Sequence, residues 1–309
     1  MEPKLAIIIP AYKGTYLSET LQSLADQTNK HFNVYIGDDA SPDPINEIIA
    51  AYSSRLNLVY KRYEKNLGHE SLAKHWNRCL QMVKSEEWVC FLPDDDMLSS
   101  GVVDAAYNFL NSELFSPDVK ALKLSIVRLV NDKFDFTFSK KVRPYIESGY
   151  SFYDRLVRGE DDCTLGDVIY NKRRLLEVGL FEEYPKGWHS DHSALLKVVA
   201  RKSMVHLKDA NLIFRMSGVN ISSLVSDGSE KMRARYLFVK WLKRSKNLFD
   251  TTPSKIFFRF LYWKGEYYFI YQWKFELKTL WYLFRLRNVS IGSYNPFPLV
   301  KAIFKKIIS

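Results

Sequence analysis

Four short apolar segments, separated by longer amphipathic segments, restrict what the first hundred residues can fold into. The apolar segments are rich in β-branched and aromatic residues, as buried parallel strands are, whereas the intervening segments show helical spacing. The predicted strands are Leu5–Ile9, Phe32–Ile36, Leu56–Tyr60 and Trp88–Leu92. We therefore predict an α/β domain with a doubly wound open sheet, in which ligands bind beyond the carboxyl ends of the strands.

Polar clusters follow three of these predicted strands at the point where each strand ends. Pro10-Ala11-Tyr12 follows the first strand, Asp38-Asp39-Ala40-Ser41-Pro42-Asp43 the second, and Pro93-Asp94-Asp95-Asp96 the fourth. Because the carboxyl ends of parallel strands meet at one edge of a sheet, we expect the three clusters to converge on a single crevice.

Three consecutive aspartates, Asp94-Asp95-Asp96, are the strongest local signal. Neighbouring carboxylates repel one another and are costly to desolvate unless a cation or hydrogen-bond donors compensate them. Proteins typically hold Mg²⁺ or Mn²⁺ through one or two carboxylates together with substrate phosphates. The alternative, stabilisation of a helix N-terminus, explains one aspartate but not three. We therefore predict a divalent metal ion bound together with a nucleotide diphosphate.

The pair Asp38-Asp39 ends the second predicted strand. A carboxylate at this position can accept a hydrogen bond from a nucleobase N–H or a ribose hydroxyl. Turn formation before Pro42 and Pro44 is the alternative interpretation. The shared sheet edge with the three aspartates favours the binding role.

Five motifs, taken in order and spacing, resemble the family 2 glycosyltransferases of GT-A fold, which have a Rossmann-like open mixed sheet flanked by helices. The resemblance continues more loosely through Gly179-Leu180-Phe181 and Ser190-Asp191 as far as Phe214-Arg215. The five motifs are Ile7-Ile8-Ile9-Pro10-Ala11-Tyr12, the positions Leu17, Thr20, Leu21, Ser23, Leu24, Gln27 and Thr28, then Asp38–Asp43, Asn66-Leu67-Gly68 and Pro93–Asp96.

The resemblance implies a role for each matching residue in binding a nucleotide-sugar donor, usually one carrying UDP. Asp191 matches the family's catalytic base. The remaining implied contacts are Pro10, Ala11, Tyr12 and Asp39 with the base, Asn66, Gly68 and Lys74 with the nucleotide, Asp94 with the ribose, and Asp95 and Asp96 with Mn²⁺ or Mg²⁺.

These roles imply an inverting transfer. A bound metal ion neutralises charge on the departing nucleoside diphosphate, and Asp191 removes the acceptor hydroxyl proton in a single displacement. Asp191 is also a good N-cap for the helix that follows it, and the two roles are compatible. Trp188 and His189 are candidates for stacking on an acceptor sugar, with packing in the core as the alternative.

Two positions depart from the family pattern. The more usual Asp-X-Asp-Asp motif has Pro93 in place of its first aspartate, so the metal and ribose roles among Asp94, Asp95 and Asp96 are open by one position. Many members carry Arg-X-His after the base, where the histidine reaches the metal ion, whereas this chain has Arg215-Met216-Ser217.

The basic character of the chain belongs to its C-terminal part. Residues 230–309 contain 17 Lys/Arg and 4 Asp/Glu, a charge of +13, whereas residues 1–229 contain 28 and 31, a charge of −3. We expect a nucleotide-sugar transferase domain over residues 1–229 and a helical region over 230–309, broken near Pro253 and Pro296. Aromatic rings interleaved with basic residues suit an anionic membrane surface. Packing against the core is the alternative, and nucleic-acid binding is not expected.

The function predicted from the sequence is transfer of a sugar to a saccharide or lipid-linked acceptor in surface polysaccharide or glycolipid synthesis. With no signal-peptide pattern and no paired-cysteine framework, we expect a cytoplasmic protein at the inner face of the membrane. A degenerate transferase domain acting as a membrane scaffold, a phosphotransferase and a sugar nucleotidyltransferase are the alternatives. The phosphotransferase lacks its Asp-X-Asp-X-Thr/Val context and the nucleotidyltransferase its glycine-rich phosphate loop.

Overall fold

A computed structural model describes residues 4–137, 143–157, 160–218, 228–245, 248 and 277–291. The predicted breaks near Pro253 and Pro296 lie outside these residues. The helices are α1 Leu17–Ala25, α2 Ile45–Ala50, α3 Leu72–Leu80, α4 Val102–Leu110, α5 Gly149–Val157, α6 Lys172–Glu177, α7 Ser190–Val199, α8 Gly228–Arg244 and α9 Leu277–Ile291. The strands are β1 Leu5–Ala11, β2 Phe32–Asp38, β3 Leu58–Arg62, β4 Trp88–Phe91, β5 Met97–Leu98, β6 Val119–Val130, β7 Lys133–Asp135, β8 Ile146–Ser148, β9 Val168–Asn171 and β10 Ser203–Met216.

The predicted strands of the first hundred residues form a parallel sheet. Its order is β3-β2-β1-β4, and the pairs β1–β2, β2–β3 and β1–β4 are all parallel. The carboxyl ends of β1, β2 and β4 therefore lie at the same edge, as the sequence predicts. This arrangement confirms the predicted α/β class.

The sheet becomes mixed beyond β4. Its order continues through β9, β6, β10 and β5, and β9 runs antiparallel to both β4 and β6. The sequence also predicts strands at Ala121–Val130 and Asp167–Tyr170. The first is part of β6, and the second corresponds to β9 except that Asp167 ends the 3₁₀ turn Leu165–Asp167. The result is the open mixed sheet flanked by helices that the family resemblance implies.

Alternation along β1 explains why helices cover both faces of the sheet. Ile7 and Ile9 point into a core with α1, α2 and α4, whereas Ala6 and Ile8 point into a second core with α3, α5, α6 and α7. Successive side chains of a strand face opposite sides, so an unbroken apolar run places a hydrophobic surface on each. A strand of this composition is stable only between two layers of helices.

The helices α8 and α9 pack on each other and form a third core. Phe238 and Met232 of α8 lie in this core with Tyr184 and Leu196 from the preceding part of the chain. The boundary predicted near residue 229 stays a prediction, but α8 shares buried contacts with the residues before it. Among the described helices, none is both long enough and apolar enough for a bilayer span.

A fully buried ion pair connects β6 to the turn before β9. Lys123 Nζ contacts Asp167, and both side chains have no exposed surface. Asp167 also accepts a hydrogen bond from the backbone N–H of Thr164, at 3.2 Å, in a capping box. The neighbouring Asp161 is paired with Arg143 and Arg155, each at 3.0 Å. Buried charges require such partners, because each one has given up its hydration.

We expect Lys123→Met to lower the free energy of unfolding by about 3–5 kcal/mol, because it leaves a buried carboxylate without its cation. Urea denaturation monitored by circular dichroism measures the change. The matched control is Lys123→Met combined with Asp167→Asn, which removes the negative charge and keeps an oxygen for Thr164. The double variant should recover most of the loss, and equal destabilisation of both variants would contradict this account of the pair.

Candidate active site

The three aspartates after β4 form a tight turn that is held by β1. Asp94 Oδ2 accepts hydrogen bonds from the backbone N–H groups of Tyr12 and Lys13, both at 2.7 Å. These donors lie just beyond the carboxyl end of β1, so the first and fourth strand ends are joined by one carboxylate. The predicted convergence of Tyr12 and Asp94 is therefore present in the structure.

The same turn is held from its other side by α1 and β10. Thr20 Oγ1 donates to the carbonyl oxygens of Asp96, at 2.8 Å, and of Asp94, at 3.2 Å. The backbone N–H of Arg215 donates to Asp96 Oδ1 at 2.9 Å, and Arg215 Nε donates to the Asp95 carbonyl at 3.1 Å. The Arg215 guanidinium also pairs with Glu19. Three elements distant in sequence thus fix the backbone of the acidic turn.

Burial makes the charged form of all three carboxylates unfavourable. It raises the pKa of Asp94 to about 6, with the charge of Asp95 contributing, although the N–H groups of Tyr12 and Lys13 act in the opposite direction. Burial also raises the pKa of Asp95. The pKa of Asp96 is raised well above its ordinary value by burial and by the charge of Asp95. The turn therefore contains more negative charge than its own hydrogen bonds balance.

Asp96 Oδ2 is buried and has no hydrogen-bond partner in the part of the chain that the structure describes. An unpaired buried carboxylate oxygen is costly unless a ligand completes it. Hard carboxylate oxygens are the ligands that Mn²⁺ and Mg²⁺ prefer, so Asp95 and Asp96 fit the predicted metal ion. No set of three or more Asp, Glu, His or Cys side chains in the described part of the chain is placed to hold a metal ion by itself. The residues thus fit an ion that takes its other ligands from the substrate phosphates and water.

Asp39 anchors the loop that carries Asn66 and Gly68. Its Oδ1 accepts from the N–H of Leu67 at 2.8 Å and its Oδ2 from the N–H of Gly68 at 2.7 Å. The Arg78 guanidinium also binds Oδ1 and lies 3.8 Å from the centre of the Tyr63 ring. Asp39 is 2% exposed, so the proposed base contact would use the remaining lone pair of Oδ2.

A buried histidine beside Asp39 adds no positive charge. Burial lowers the pKa of His75 to about 4, so the ring is neutral near neutral pH. His75 Nδ1 accepts a hydrogen bond from Arg78 Nε at 3.1 Å and lies 3.6 Å from Asp39. Arg78 is therefore the cation that balances Asp39. Sequence reasoning missed it, although Arg78 lies one helical turn after Lys74 on α3 and so shares its face.

Asp38 has a structural role in the described chain. It accepts hydrogen bonds from Tyr60 Oη at 2.6 Å, from Arg62 at 2.7 Å and from the N–H of Ser41 at 2.8 Å. These bonds join the ends of β2 and β3 and shape the following turn. The turn interpretation therefore describes Asp38, whereas Asp39 faces the nucleotide loop.

The remaining predicted contacts lie around this crevice. Asn66 Oδ1 accepts from the N–H of His69 at 2.8 Å and so shapes the loop, and Lys74 lies 3.6 Å from Glu183, with both side chains about half exposed. Pro10 is partly exposed beside Ala11, which is buried, and the ring of Tyr12 is 39% exposed. The exposed ring is available to a ligand, whereas Ala11 contributes through its backbone.

Asp191 lies in the first turn of α7, and its neighbours connect it to the rest of the crevice. The preceding 3₁₀ turn, Pro185–Gly187, packs against α3, where a Cβ on Gly187 would lie 2.8 Å from the Trp76 ring. The charge of Asp191 contributes to a raised pKa of the buried Cys163 thiol. Cys163 precedes Gly166, whose Cβ position is 3.2 Å from Pro93 at the start of the acidic turn.

Trp188 and His189 pack on α8. The His189 ring is stacked on Phe238, with centroids 4.7 Å apart and planes 7° apart, and Lys231 Nζ lies 4.8 Å from the centre of the Trp188 ring. His189 is 8% exposed and has a φ of 73°, a left-handed conformation that turns the chain into α7. Packing is therefore what the structure supports for His189, and its predicted acceptor contact stays a prediction.

Comparison with known proteins agrees with this geometry. Residues 6–116 match the family model described as Glycosyl transferase family 2. The poly(ribitol-phosphate) β-N-acetylglucosaminyltransferase TarS of Staphylococcus aureus (strain Mu50) is 31% identical over 124 residues, which cover 39% of this chain and 21% of TarS. The teichuronic acid biosynthesis glycosyltransferase TuaG of Bacillus subtilis, a putative assignment, is 28% identical over 113 residues, covering 35% of this chain and 42% of TuaG. The matched region thus spans a fifth to two fifths of these relatives.

Solved structures extend the similarity in fold to nearly the whole chain. The crystal structure of S. aureus TarS 1–349 with UDP-GlcNAc superimposes with a TM-score of 0.68 at 20% identity, covering 99% of this chain and 88% of that one. The mannosyltransferase PcManGT from Pyrobaculum calidifontis, with GDP-Man and Mn²⁺, gives a TM-score of 0.54 at 15% identity, covering 99% and 81%. Residues 6–116 therefore match the family 2 glycosyltransferases, and the chain has the GT-A fold of these solved structures.

Proposed function

We propose that this protein is an inverting, metal-dependent glycosyltransferase that moves a sugar from a UDP-sugar to an acceptor hydroxyl. The observation that carries the proposal is the acidic turn at the end of β4, in which the buried Asp96 Oδ2 has no hydrogen-bond partner among the described residues. This turn shares the sheet edge with the loop held by Asp39. Together they provide a diphosphate site and a nucleoside site side by side.

The donor side of the crevice is held by hydrogen bonds within the chain. Asp39 holds the N–H groups of Leu67 and Gly68, and Asp94 holds those of Tyr12 and Lys13. Loops that are already in place lose less conformational entropy on binding. Asp95 and Asp96 would hold Mn²⁺ or Mg²⁺, which would supply Lewis-acid neutralisation of the leaving diphosphate.

Asp191 is the proposed catalytic base. Its carboxylate removes the acceptor hydroxyl proton while the hydroxyl oxygen bonds to the anomeric carbon and the bond to the diphosphate oxygen breaks. Attack opposite the leaving group inverts the anomeric configuration. No hydrogen bond to Asp191 Oδ2 is found within the described residues, so this oxygen is available to take the proton.

The proposed pathway is cell-surface polysaccharide or glycolipid synthesis at the inner face of the cytoplasmic membrane. TarS and TuaG, by their names, act on poly(ribitol-phosphate) and in teichuronic acid synthesis, and these names support a saccharide or lipid-linked acceptor. The catalytically degenerate scaffold is the second candidate, because α8 and α9 present a basic surface of their own.

That basic surface combines exposed cations with exposed rings. A groove of about 500 Å³ between α8 and α9 is lined by Arg233, Lys278, Trp281, Tyr282 and Glu230. Trp281 is 50% exposed, and the Arg285 guanidinium lies 4.3 Å from the centre of its ring. Amphipathic rings beside cations suit the headgroup region of an anionic bilayer. We propose that this surface places the crevice near the membrane.

UDP with Mn²⁺ should raise the melting temperature of the protein, and EDTA should abolish the shift, because the diphosphate and the acidic turn need the same cation. At a hundredfold excess over Kd, binding stabilises the fold by about 2.7 kcal/mol. Asp96→Asn should lose the metal-dependent part in differential scanning fluorimetry. Asp132→Asn, at an exposed turn with positive φ, is the matched control and should keep it. A UDP-dependent rise in melting temperature that is the same with and without metal would contradict the proposed site.

A panel of nucleotide sugars, assayed for release of the nucleoside diphosphate, would identify the donor.

Gly68→Ala should weaken UDP binding about tenfold or more, since relieving an overpacked contact costs about 1–3 kcal/mol. A Cβ at residue 68 would lie 2.5 Å from Asp39 Oδ2, so the loop or the carboxylate must move. Isothermal titration with UDP measures the loss. Gly101→Ala is the matched control, because no atom lies within 4 Å of its Cβ position. Equal affinities for the two variants would show that the Asp39 contact is irrelevant to the nucleotide.

Lys278→Glu combined with Arg285→Glu should reduce sedimentation with phosphatidylglycerol-containing vesicles at least about tenfold, given about 1 kcal/mol per basic residue near an anionic surface. Lys133→Glu with Arg173→Glu, which reverses two exposed cations elsewhere, should sediment like the unchanged protein. Undiminished binding by the first variant would exclude the surface. Membrane binding without turnover of any donor would instead favour the scaffold.

A further inference from the structure

The carboxylate of Asp191 is held by the residue next to it. Asp191 Oδ1 accepts hydrogen bonds from the backbone N–H and from Nδ1 of His192, both at 2.8 Å. The two side chains are 17% and 18% exposed, so solvent and a ligand can reach the pair. Since both donors meet the same oxygen, the orientation of the carboxylate is fixed and Oδ2 points elsewhere.

An aromatic stack from α8 holds the His192 ring. His189 and Phe238 both meet it edge-on, with centroids at 4.9 Å and 6.0 Å. His189 is stacked on Phe238, which is stacked in turn on Trp241 at 5.9 Å. An imidazole enclosed in this way has little freedom to rotate, and edge-to-face contacts of this kind are favourable.

Two buried ionisable side chains whose pKa values respond to the charge of Asp191, Cys163 and Tyr170, are neutral near neutral pH. Burial raises the pKa of the Cys163 thiol and of the Tyr170 phenol well above their ordinary values, and the charge of Asp191 contributes to both shifts. Lys231 of α8 is 1% exposed and lies over the Trp188 ring. His192 is thus the titratable side chain in direct contact with the base.

We propose that His192 is a positioning residue for the catalytic base, and that the aromatic stack of α8 is what holds it in place. The imidazole fixes Oδ1 of Asp191 so that Oδ2 receives the proton of the acceptor hydroxyl. His192 keeps its own Nδ1 proton, and the proton taken by Asp191 passes to solvent after the product leaves. This inference rests on the proposed function, because it assigns a partner to the base proposed there.

Two substitutions of His192 separate orientation from packing. His192→Leu removes the donor, whereas His192→Asn places an amide N–H near the position of Nδ1. For the donor that the nucleotide-sugar panel identifies, we expect His192→Leu to lower kcat about ten- to a hundredfold, the range that misplacement of a catalytic group produces. The KM for the donor and the UDP-dependent thermal shift should be unchanged, because His192 does not contact the donor side.

The pH dependence gives a readout that loss of packing would not move. A hydrogen bond to a carboxylate favours its charged form, so its removal raises the pKa of the carboxyl. The acidic limb of kcat/KM should therefore move to higher pH in His192→Leu and return toward its original position in His192→Asn. Phe238→Leu, which loosens the stack, should lower kcat and leave donor binding intact, whereas Phe109→Leu in the opposite core should change neither.

The outcomes distinguish this inference from the proposed function. Asp191→Asn that still transfers sugar would overturn the base assignment and the inference together. If Asp191→Asn is inactive but His192→Leu keeps the original kcat and pH profile, the inference alone fails. Equal losses in His192→Leu and His192→Asn, with the acidic limb unmoved, would show a packing role and would also overturn it.

Discussion

The structure of the crevice depends on one arrangement: three consecutive carboxylates held in one turn, whose desolvation the nearby cations Lys13 and Arg215 offset only in part. Asp94 receives two backbone N–H groups from β1, and Asp96 receives one from β10. These bonds fix the position of the charges but leave Asp96 Oδ2 without a hydrogen-bond partner among the described residues. The packing of the surrounding sheet supplies the stability that offsets the free-energy cost of burying these carboxylates. Folded proteins maintain unfavourable local charge at functional sites in this way. A ligand that supplies positive charge here relieves strain that the fold already contains.

On the nucleoside side of the crevice, a carboxylate is again held in place by hydrogen bonds from the chain, but its charge is already balanced by a cation. Asp39 has Arg78 as its cation and the N–H groups of Leu67 and Gly68 as its donors. Its first task is therefore to hold a loop, and the space for that contact exists because residue 68 has no side chain. The two halves of the donor site thus differ in a useful way. One half is complete without a ligand and shapes the pocket, whereas the other is incomplete and needs the ligand's own cation.

The sequence predicted the parallel half of the sheet and the convergence of its strand ends, because apolar runs and terminal aspartates are local signals. It did not predict that β9 runs antiparallel between β4 and β6, since strand direction in a mixed sheet depends on long connections. At the site, Asp94 and Asp39 were predicted as ligand contacts, and the structure adds that both anchor loops. Arg78 and His192 were missed. Each is a common residue type whose importance comes from a partner that the fold brings to it. Only Arg78, one helical turn after Lys74, had a spacing signal that could have indicated its place.

The C-terminal part of the chain shows why aromatic composition alone is ambiguous. The sequence left open whether its rings pack on the core or meet a membrane, and the described helices contain rings of both kinds. Phe238 is buried and stacked on His189, just before the helix that carries Asp191, whereas Trp281 is half exposed beside Arg285. Packing therefore accounts for the aromatic rings on the inner face of α8. It does not account for the exposed aromatic ring of α9 that lies beside a basic side chain. One face of α8 contacts the 3₁₀ turn Pro185–Gly187 that precedes Asp191, and another face contacts α9. The helix α8 therefore links the outer surface to the catalytic end of the crevice. Because both faces of α8 are packed, the helix has aromatic residues on each of them. The C-terminal region therefore contains more aromatic residues than a single core requires.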